Sequence, residues 1–130
     1  MEIIKKGAVF TSKEPVNILV KCKIAEKMYT KNNKKYIDLE LPASTVKQIS
    51  ELHKKFSDHM TKPNISNPLE GNTLKIKIPF LKNRVTCKIE GDKTIQEYKK
   101  GDSFTGTINF CGIWSIGEYC GPSWKLVSVQ

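Results

Sequence analysis

The sequence contains very little arginine. Lys and Arg together number 22, and Arg84 is the only arginine among them. A guanidinium is the usual reader of guanine edges, whereas a lysine ammonium behaves as a mobile point charge suited to phosphates. Asp and Glu number only 13, which leaves a formal net charge of +9 on 130 residues. This charge favours a polyanionic partner bound with little sequence specificity. A lysine excess that only aids solubility is the alternative.

Long apolar runs are also missing. No stretch approaches the roughly 18 apolar residues of a membrane-spanning helix, so no membrane association is expected. The N-terminal residues hold only a short apolar pair, Ile3-Ile4, where a signal peptide needs about 7–15 apolar residues. We therefore expect an intracellular protein in a reducing compartment. The 38% hydrophobic content is sufficient for one core, so residues 1–130 are predicted to form a single domain.

Recognisable catalytic and metal-binding motifs are absent as well. The sequence has no G-x-x-x-x-G-K-[ST] loop and no G-x-S-x-G elbow. It has no C-x-x-C pair, and His53 and His59 are not at a metal-ligand spacing. We expect no enzyme activity, no cofactor and no metal site. Free thiols are expected at the four cysteines, although the last two flank a predicted turn: Cys22, Cys87, Cys111 and Cys120.

Apolar residues recur at every second position in several segments, which predicts strands with one buried face. These segments are 16–24, 37–41, 74–80, 85–89, 104–112 and 124–129, with an edge strand added over 3–10. The pair Asn32-Asn33 suits a tight turn, which predicts a hairpin with a basic tip flanked by Tyr29 and Tyr36. Gly112, like Gly106, indicates a bend or bulge. A turn is predicted around residues 117–122.

One helix is predicted mid-chain. Its apolar positions recur at three or four residues over about 44–60, namely Val46, Ile49, Leu52, Phe56 and Met60. Ser44 or Thr45 is the predicted cap, since Thr45-x-x-Gln48 has capping-box spacing. Curved strands with one inserted helix favour a mainly β fold, a single OB-like Greek-key barrel with its helix between the third and fourth strands. An open α+β sheet is the alternative.

Lysines recur on the polar faces of the predicted strands. Lys75 and Lys77 are two apart and point the same way, as do Arg84 and Lys88 on the next strand. If these two strands pair, their polar faces merge into one cationic patch. A second basic row runs along the first strand of the predicted hairpin through Lys21, Lys23 and Lys27 and ends in the hairpin loop. The predicted phosphate contacts are Lys21, Lys23, Lys27, Lys31, Lys34, Lys35, Lys75, Lys77, Arg84 and Lys88.

Four aromatic residues lie in or near predicted turns, where their rings can stack on bases: Tyr29, Tyr36, Trp114 and Tyr119. Such stacking is worth roughly 1–3 kcal/mol per base without demanding a sequence. Trp124 lies on an alternating strand and is assigned to the core. The combination predicts a sequence-tolerant binder of single-stranded nucleic acid. A protein–protein adaptor barrel with an acidic partner, or a binder of RNA or duplex DNA, is the alternative.

Two C-terminal stretches, Phe110-Cys-Gly-Ile-Trp114 and Gly117-Glu-Tyr-Cys-Gly-Pro-Ser-Trp-Lys-Leu126, together with the strand Leu74-Lys-Ile-Lys-Ile-Pro79, resemble OB-fold single-stranded-DNA-binding proteins of large DNA viruses. The resemblance covers about the last 60 residues. It implies a protein that coats exposed DNA strands in replication or recombination, without catalysis or cofactor, in the host cytoplasm or nucleus.

The resemblance also implies roles for individual residues. It casts Lys75, Lys77, Arg84 and Lys88 as phosphate contacts and Trp114 or Tyr119 as stacking partners. Replication-protein partners and self-association stay open. Many proteins of this group end in an acidic tail that recruits partners. This sequence ends without an acidic run, so recruitment through a tail is not expected.

Overall fold

A computed structural model describes the backbone of residues 1–81, 84–85, 88–89 and 95–130, and the side chains of residues 1–79, 95 and 97–130. The strands are β1 (Ile3–Lys6), β2 (Val9–Ser12), β3 (Asn17–Lys31), β4 (Lys34–Glu40), β5 (Asn64–Ile65), β6 (Leu69–Glu70), β7 (Thr73–Ile78), β8 (Phe80–Leu81), β9 (Arg84–Val85), β10 (Lys88–Ile89), β11 (Ser103–Ile116) and β12 (Tyr119–Val129). The α-helix is α1 (Ala43–Lys55), and 3-10 turns span Ser57–His59 and Ile95–Glu97.

Five strands close into a barrel. Around the barrel the order is β3, β4, β7, β12, β11 and back to β3. Neighbouring strands are antiparallel except β7 and β12, which run parallel and meet at Lys77 and Lys125. The third and fifth barrel strands along the chain are thus neighbours, which gives the connectivity of an OB-like barrel. The prediction of a mainly β, OB-like barrel with one inserted helix is confirmed, and the open sheet is excluded.

The core follows the two-residue alternation read from the sequence. Alternate residues of β3, β4, β7, β11 and β12 point inward and are buried, including Ile37, Leu39, Ile76 and Leu126. Trp124 is 1% exposed, as expected for a core residue. Most outward residues between these apolar positions are polar or aromatic, with Leu19 of β3 an exposed apolar exception, so the alternation that builds the core also fixes which side chains face the outer surface. The predicted inward side chains of 80, 85, 87 and 89 lie outside the described residues.

The helix is shorter than predicted and differently capped. It begins at Ala43 and ends at Lys55, and a separate 3-10 turn follows instead of a helix running to residue 60. Pro42 is the N-cap residue, with φ −60° and ψ 151°, and no side chain caps the helix. Capping by Ser44 or Thr45 is therefore wrong, because the extended Pro42 already ends the preceding segment and its carbonyl accepts from the Val46 N–H at 3.0 Å.

The position of the helix in the chain also differs from expectation. α1 connects β4 to β7, the second and third barrel strands, rather than the third and fourth. Its buried residues Ile49 and Leu52, and Phe56 just after it, enter the barrel core. The Phe56 ring lies 4.9 Å from that of Phe110, edge to face. None of the described helices is long and apolar enough to cross a membrane.

Two predicted strand arrangements need correction. Residues 3–10 do not form one edge strand, because the chain reverses at Gly7, which has φ +59°, and β1 and β2 form a hairpin. The end of the predicted 74–80 strand does pair with the start of the predicted 85–89 strand, because β8 pairs with β9 and Phe80 lies opposite Val85. However, β9 and β10 do not pair with β7, and β10 pairs with β12 in parallel. The place beside β7 is taken by β12, so the basic face of β7 is continued by a different strand.

Two hairpin tips stand at one side of the barrel. Asn32 and Asn33 have φ of 51° and 64°, the paired positive values of a two-residue type I′ turn, so the predicted Asn-Asn turn between β3 and β4 is confirmed. The β11–β12 turn is tighter than predicted, since Ile116 already pairs with Tyr119. A register shift beside Gly112, whose φ is +103°, confirms the predicted bulge there.

Candidate nucleic-acid interface

A groove of about 530 Å³ lies on the outer surface of the barrel between the two hairpin tips. One wall comes from the β3–β4 tip through Lys31 and Lys34, and the other from the β11–β12 hairpin through Trp114 and Ile116. Outward side chains of β4, β7 and β12 form the floor between them. Ser66 and Pro68, in the segment before β7, complete the lining on one side. The groove therefore joins residues that are as far apart in the sequence as Val9 and Trp124.

Four lysines line this groove: Lys31, Lys34, Lys75 and Lys77. No described carboxylate lines it. In the part of the chain whose side chains are described, none of the four lysines forms an ion pair; the ion pair observed there joins Lys13 and Glu2, away from the groove. No described carboxylate therefore neutralises their charges, which face the groove where an anionic ligand would lie.

Two aromatic rings lie among these lysines. Tyr36 is half-buried on β4, directly opposite Lys77 of β7, and the Lys75 ammonium lies 5.3 Å from the centre of its ring. Trp114 is half-buried on β11, opposite Gly121. A Cβ at Gly121 would lie 2.0 Å from the Ser66 carbonyl oxygen, so glycine is required for the 66–68 segment to approach the wall that carries Trp114. Two of the four predicted stacking residues therefore line the same groove.

The apolar face of the β11–β12 hairpin extends past Trp114. Ile116 lies two residues further along β11 on the same face, lines the groove and is 70% exposed. Its register partner Tyr119 is 56% exposed, beyond the groove lining. Tyr119 thus lies next to the groove, as a continuation of its aromatic wall. Ile116 was not identified from the sequence, because an isolated isoleucine next to a turn carries no signal of its own.

Three polar or ionisable residues of the interface were also missed. Ser123 and Cys111 line the groove, and Lys125 is exposed on β12 opposite Lys77. Burial raises the pKa of the Cys111 thiol, while Lys125 and Lys77 act in the opposite direction. Lys125 was identifiable from the sequence, because the inward assignment of Trp124 places its neighbour on the outer face. Cys22, Cys111 and Cys120 are free thiols.

The other predicted basic residues with described side chains are not part of the groove lining. Lys21 and Lys23 line a separate depression next to Glu40 and Ser103. Lys27 is exposed on β3. The Lys35 ammonium donates to the Thr30 hydroxyl. Lys35 lies between Lys34 and Tyr36 on β4, and because these two line the groove, Lys35 is on the opposite face of the strand. The side chains of Arg84 and Lys88 lie outside the described residues. The pairing with β7 on which a merged basic face depends is not made by β9 or β10, which pair with β8 and β12.

Tyr29 lies beside the groove rather than in its lining. Its ring is 6.0 Å from that of Tyr36, its register partner across the hairpin. Its hydroxyl donates to Asp38 Oδ1 at 2.7 Å. Burial, and then the hydrogen bond to the Asp38 carboxylate, raises the pKa of Tyr29. The phenol therefore stays protonated at neutral pH and acts as a hydrogen-bond donor.

The floor of the groove rests on Trp124, whose indole N–H donates to His53 Nε2 at 3.0 Å. Burial lowers the pKa of His53 to about 4, so the imidazole is neutral and its Nε2 lone pair is free to accept. No cluster of three His, Cys, Asp or Glu side chains with metal-site geometry occurs among the described residues. The chemistry of this surface is therefore that of cations and π-faces.

Comparison with protein families, with curated proteins and with solved structures finds no match to this chain. Its fold assignment accordingly rests on its own strand connectivity, and any functional assignment rests on the groove.

Proposed function

We propose that this protein binds single-stranded nucleic acid, preferably DNA, in the groove between the two hairpin tips, with little dependence on base sequence. The observation that carries the proposal is the convergence of four lysines, none in an ion pair with a described carboxylate, with Tyr36 and Trp114 in one concave surface. OB-like barrels bind oligonucleotides on their second and third strands and on the loops that join strands 1–2 and 4–5. In this chain those parts are β4, β7 and the two hairpin tips.

The groove suits an unpaired strand for two physical reasons. Lysine ammonium groups attract phosphates and release condensed counterions, which provides affinity that does not depend on the bases. Tyr36 and Trp114 offer π-faces on which bases can stack, at roughly 1–3 kcal/mol per base. Bases in a duplex are already stacked and paired, so they are not available to these rings. Single strands therefore gain both terms, whereas a duplex gains only the first.

The C-terminal resemblance extends the proposal to a biological role. A sequence-tolerant binder of this kind would coat single strands exposed during replication or recombination of a large DNA virus, in the reducing interior of a host cell. Ile116 in the groove lining and Tyr119 next to it would extend the contact along the bound strand. This role requires no catalysis and no cofactor.

Tryptophan fluorescence tests the proposal, because Trp114 lines the groove and Trp124 is almost fully buried. Titration with oligo-dT is expected to quench fluorescence, and W114F is expected to remove most of that quenching.

The salt dependence of binding tests the lysines. K77A should lower the slope of log affinity against log salt by about 0.7, which corresponds to one phosphate contact on a single strand. K54A, at an exposed lysine of α1 outside the groove, is the matched control and should leave the slope unchanged.

Competition between oligo-dT, the same sequence as RNA and a duplex of equal length ranks the candidate ligands. Preference for the DNA single strand supports the proposal. Preference for RNA or for the duplex would mean that single-stranded DNA is not the preferred ligand. If no oligonucleotide binds with salt-dependent affinity, while an acidic partner protein binds after nuclease treatment, the adaptor alternative takes its place.

A further inference from the structure

Tyr29, Asp38, Lys75 and Tyr36 form a connected set on the outer face of β3, β4 and β7. Lys75 is the direct register partner of Asp38 across β4 and β7. Opposite charges at such positions attract each other. Yet the Lys75 ammonium lies 5.3 Å from the centre of the Tyr36 ring, which is its diagonal neighbour, and forms no ion pair with a described carboxylate. The contact of Lys75 with Tyr36, in place of an ion pair with Asp38, therefore needs an explanation.

The cause lies on the other side of Asp38. The Tyr29 hydroxyl donates to Asp38 Oδ1 at 2.7 Å, which ties one carboxylate oxygen to β3. The two destinations open to Lys75 are similar in energy: an exposed ion pair is worth about 0.2–1 kcal/mol, and an exposed cation–π contact about 0.5–1 kcal/mol. When two alternatives are so closely balanced, one hydrogen bond to the competing carboxylate is enough to decide between them.

We infer that Tyr29 is a positioning residue, which engages Asp38 and thereby keeps the Lys75 ammonium over Tyr36, inside the groove, where a phosphate can take it up. The phosphate-binding part of this inference rests on the proposed function. Tyr29 thus receives a role other than the base stacking predicted from the sequence. Lys75 leaves the Tyr36 ring for a phosphate when a strand enters, and the ring face that it covered becomes open to a base.

The variant Y29F isolates this role, because it keeps the ring and removes only the hydroxyl. Asp38 is then free to pair with Lys75, and the groove loses one cation. The slope of log affinity against log salt should fall by about 0.7, and the affinity for oligo-dT at 0.1 M salt should fall about fivefold. Y29F/D38N should recover the wild-type values, since a neutral amide does not capture the lysine. In a K75M background, Y29F should have no further effect.

Two outcomes of these titrations overturn the inference. If Tyr29 acts by stacking, Y29F binds like the wild type, and Y29A loses affinity with an unchanged salt slope. Glu70 lines the same shallow depression as Asp38 and Lys75, so it is the other carboxylate with which Lys75 could pair in Y29F. If Y29F/E70Q recovers the wild-type values and Y29F/D38N does not, the inference about Asp38 is wrong.

A second measurement needs no oligonucleotide. In the free protein, the Tyr36 ring current should shift the Lys75 Cε–H resonances upfield, with the assignment made from their loss in K75R. The shift should disappear in Y29F and return in Y29F/D38N. An unchanged shift in Y29F overturns the inference whatever the titrations show. If the shift behaves as expected but the protein binds no oligonucleotide, the proposed function fails and the positioning of Lys75 by Tyr29 stands.

Discussion

His53 places a titratable side chain in the core directly beneath the groove. Its ring lies 6.2 Å from Trp124 and 6.3 Å from Phe110, centre to centre, and Nε2 accepts the indole hydrogen bond of Trp124. Because Nε2 is an acceptor, the ring proton of the neutral imidazole is on Nδ1. Protonation would replace the acceptor by a donor facing another donor. The polar link between α1 and the groove floor therefore depends on a neutral His53.

The free energy of unfolding should consequently fall at acid pH. The folded pKa of His53 is about 4 and its ordinary value is 6.5, so the unfolded chain binds more protons between these values. The stability from His53 is complete above pH 6.5 and decreases as the pH falls toward 4, by roughly 2 kcal/mol between pH 7 and pH 5. Urea unfolding at the two pH values measures the difference. H53Q retains an acceptor for Trp124 and should abolish this loss, whereas H59Q should retain it.

Residue-scale inference from sequence succeeded where the side chain's direction is set by its own strand. Alternation placed Trp124 inside and Lys75 and Lys77 outside, because successive residues of a strand point to opposite faces. It did not predict the hydrogen bond that the Tyr29 hydroxyl donates to Asp38, nine positions further on. That contact depends on how two strands are paired in register, and the alternation of each strand alone does not specify it.

Among the elements, β11 depends most on one residue. At Gly112 the backbone has φ +103°, and an added Cβ would lie 2.4 Å from the Phe10 carbonyl oxygen of β2. The glycine lets β11 bulge, turn toward β12 and still pack against β2, whose Val9 lines the groove. The wall that carries Trp114 is thus oriented by this bulge.

G112A should therefore lower the free energy of unfolding by roughly 2–4 kcal/mol, from backbone strain combined with a clash against main-chain atoms. G117A provides the matched control: its φ is +57°, nothing lies within 4 Å of an added Cβ, and the cost should be about 1 kcal/mol. Urea denaturation of both variants measures the difference. Equal losses would mean that the approach of β2 does not constrain this position.

The sequence predicted elements that depend on local backbone preferences better than it predicted the helix start and the pairing of strands. The type I′ turn at Asn32 and Asn33 was predictable because it depends on local backbone preferences. The helix start was not, because Pro42 in an extended conformation replaced the expected side-chain cap. The pairing of the predicted 74–80 and 85–89 strands was predictable only at their junction, where β8 pairs with β9, since two strands joined by a short link need not be neighbours throughout. The edge of β7 that we had assigned to residues 84–89 is paired with β12, which closes the barrel.

For the whole molecule, the question is whether the +9 charge acts as a general field or through the groove. A net charge attracts polyanions from any direction, but only lysines in contact with phosphates release counterions and set the salt dependence of affinity. Four lysines line the groove, and others are exposed elsewhere, including Lys6, Lys47, Lys54 and Lys100. The two groups contribute equally to net charge and differ only in position.

Two variants with the same charge separate these effects. One replaces the groove lysines by glutamine (K31Q, K34Q, K75Q and K77Q), and the other replaces the distal set (K6Q, K47Q, K54Q and K100Q). Each loses four charges from +9. The groove variant should lower the slope of log affinity against log salt for oligo-dT by up to about 2.8, four contacts at 0.7 each. The distal variant should keep the slope and bind more slowly at low salt, because long-range attraction affects the association rate. Equal slopes in the two variants would assign binding to the overall field, and the groove would lose its role as the interface.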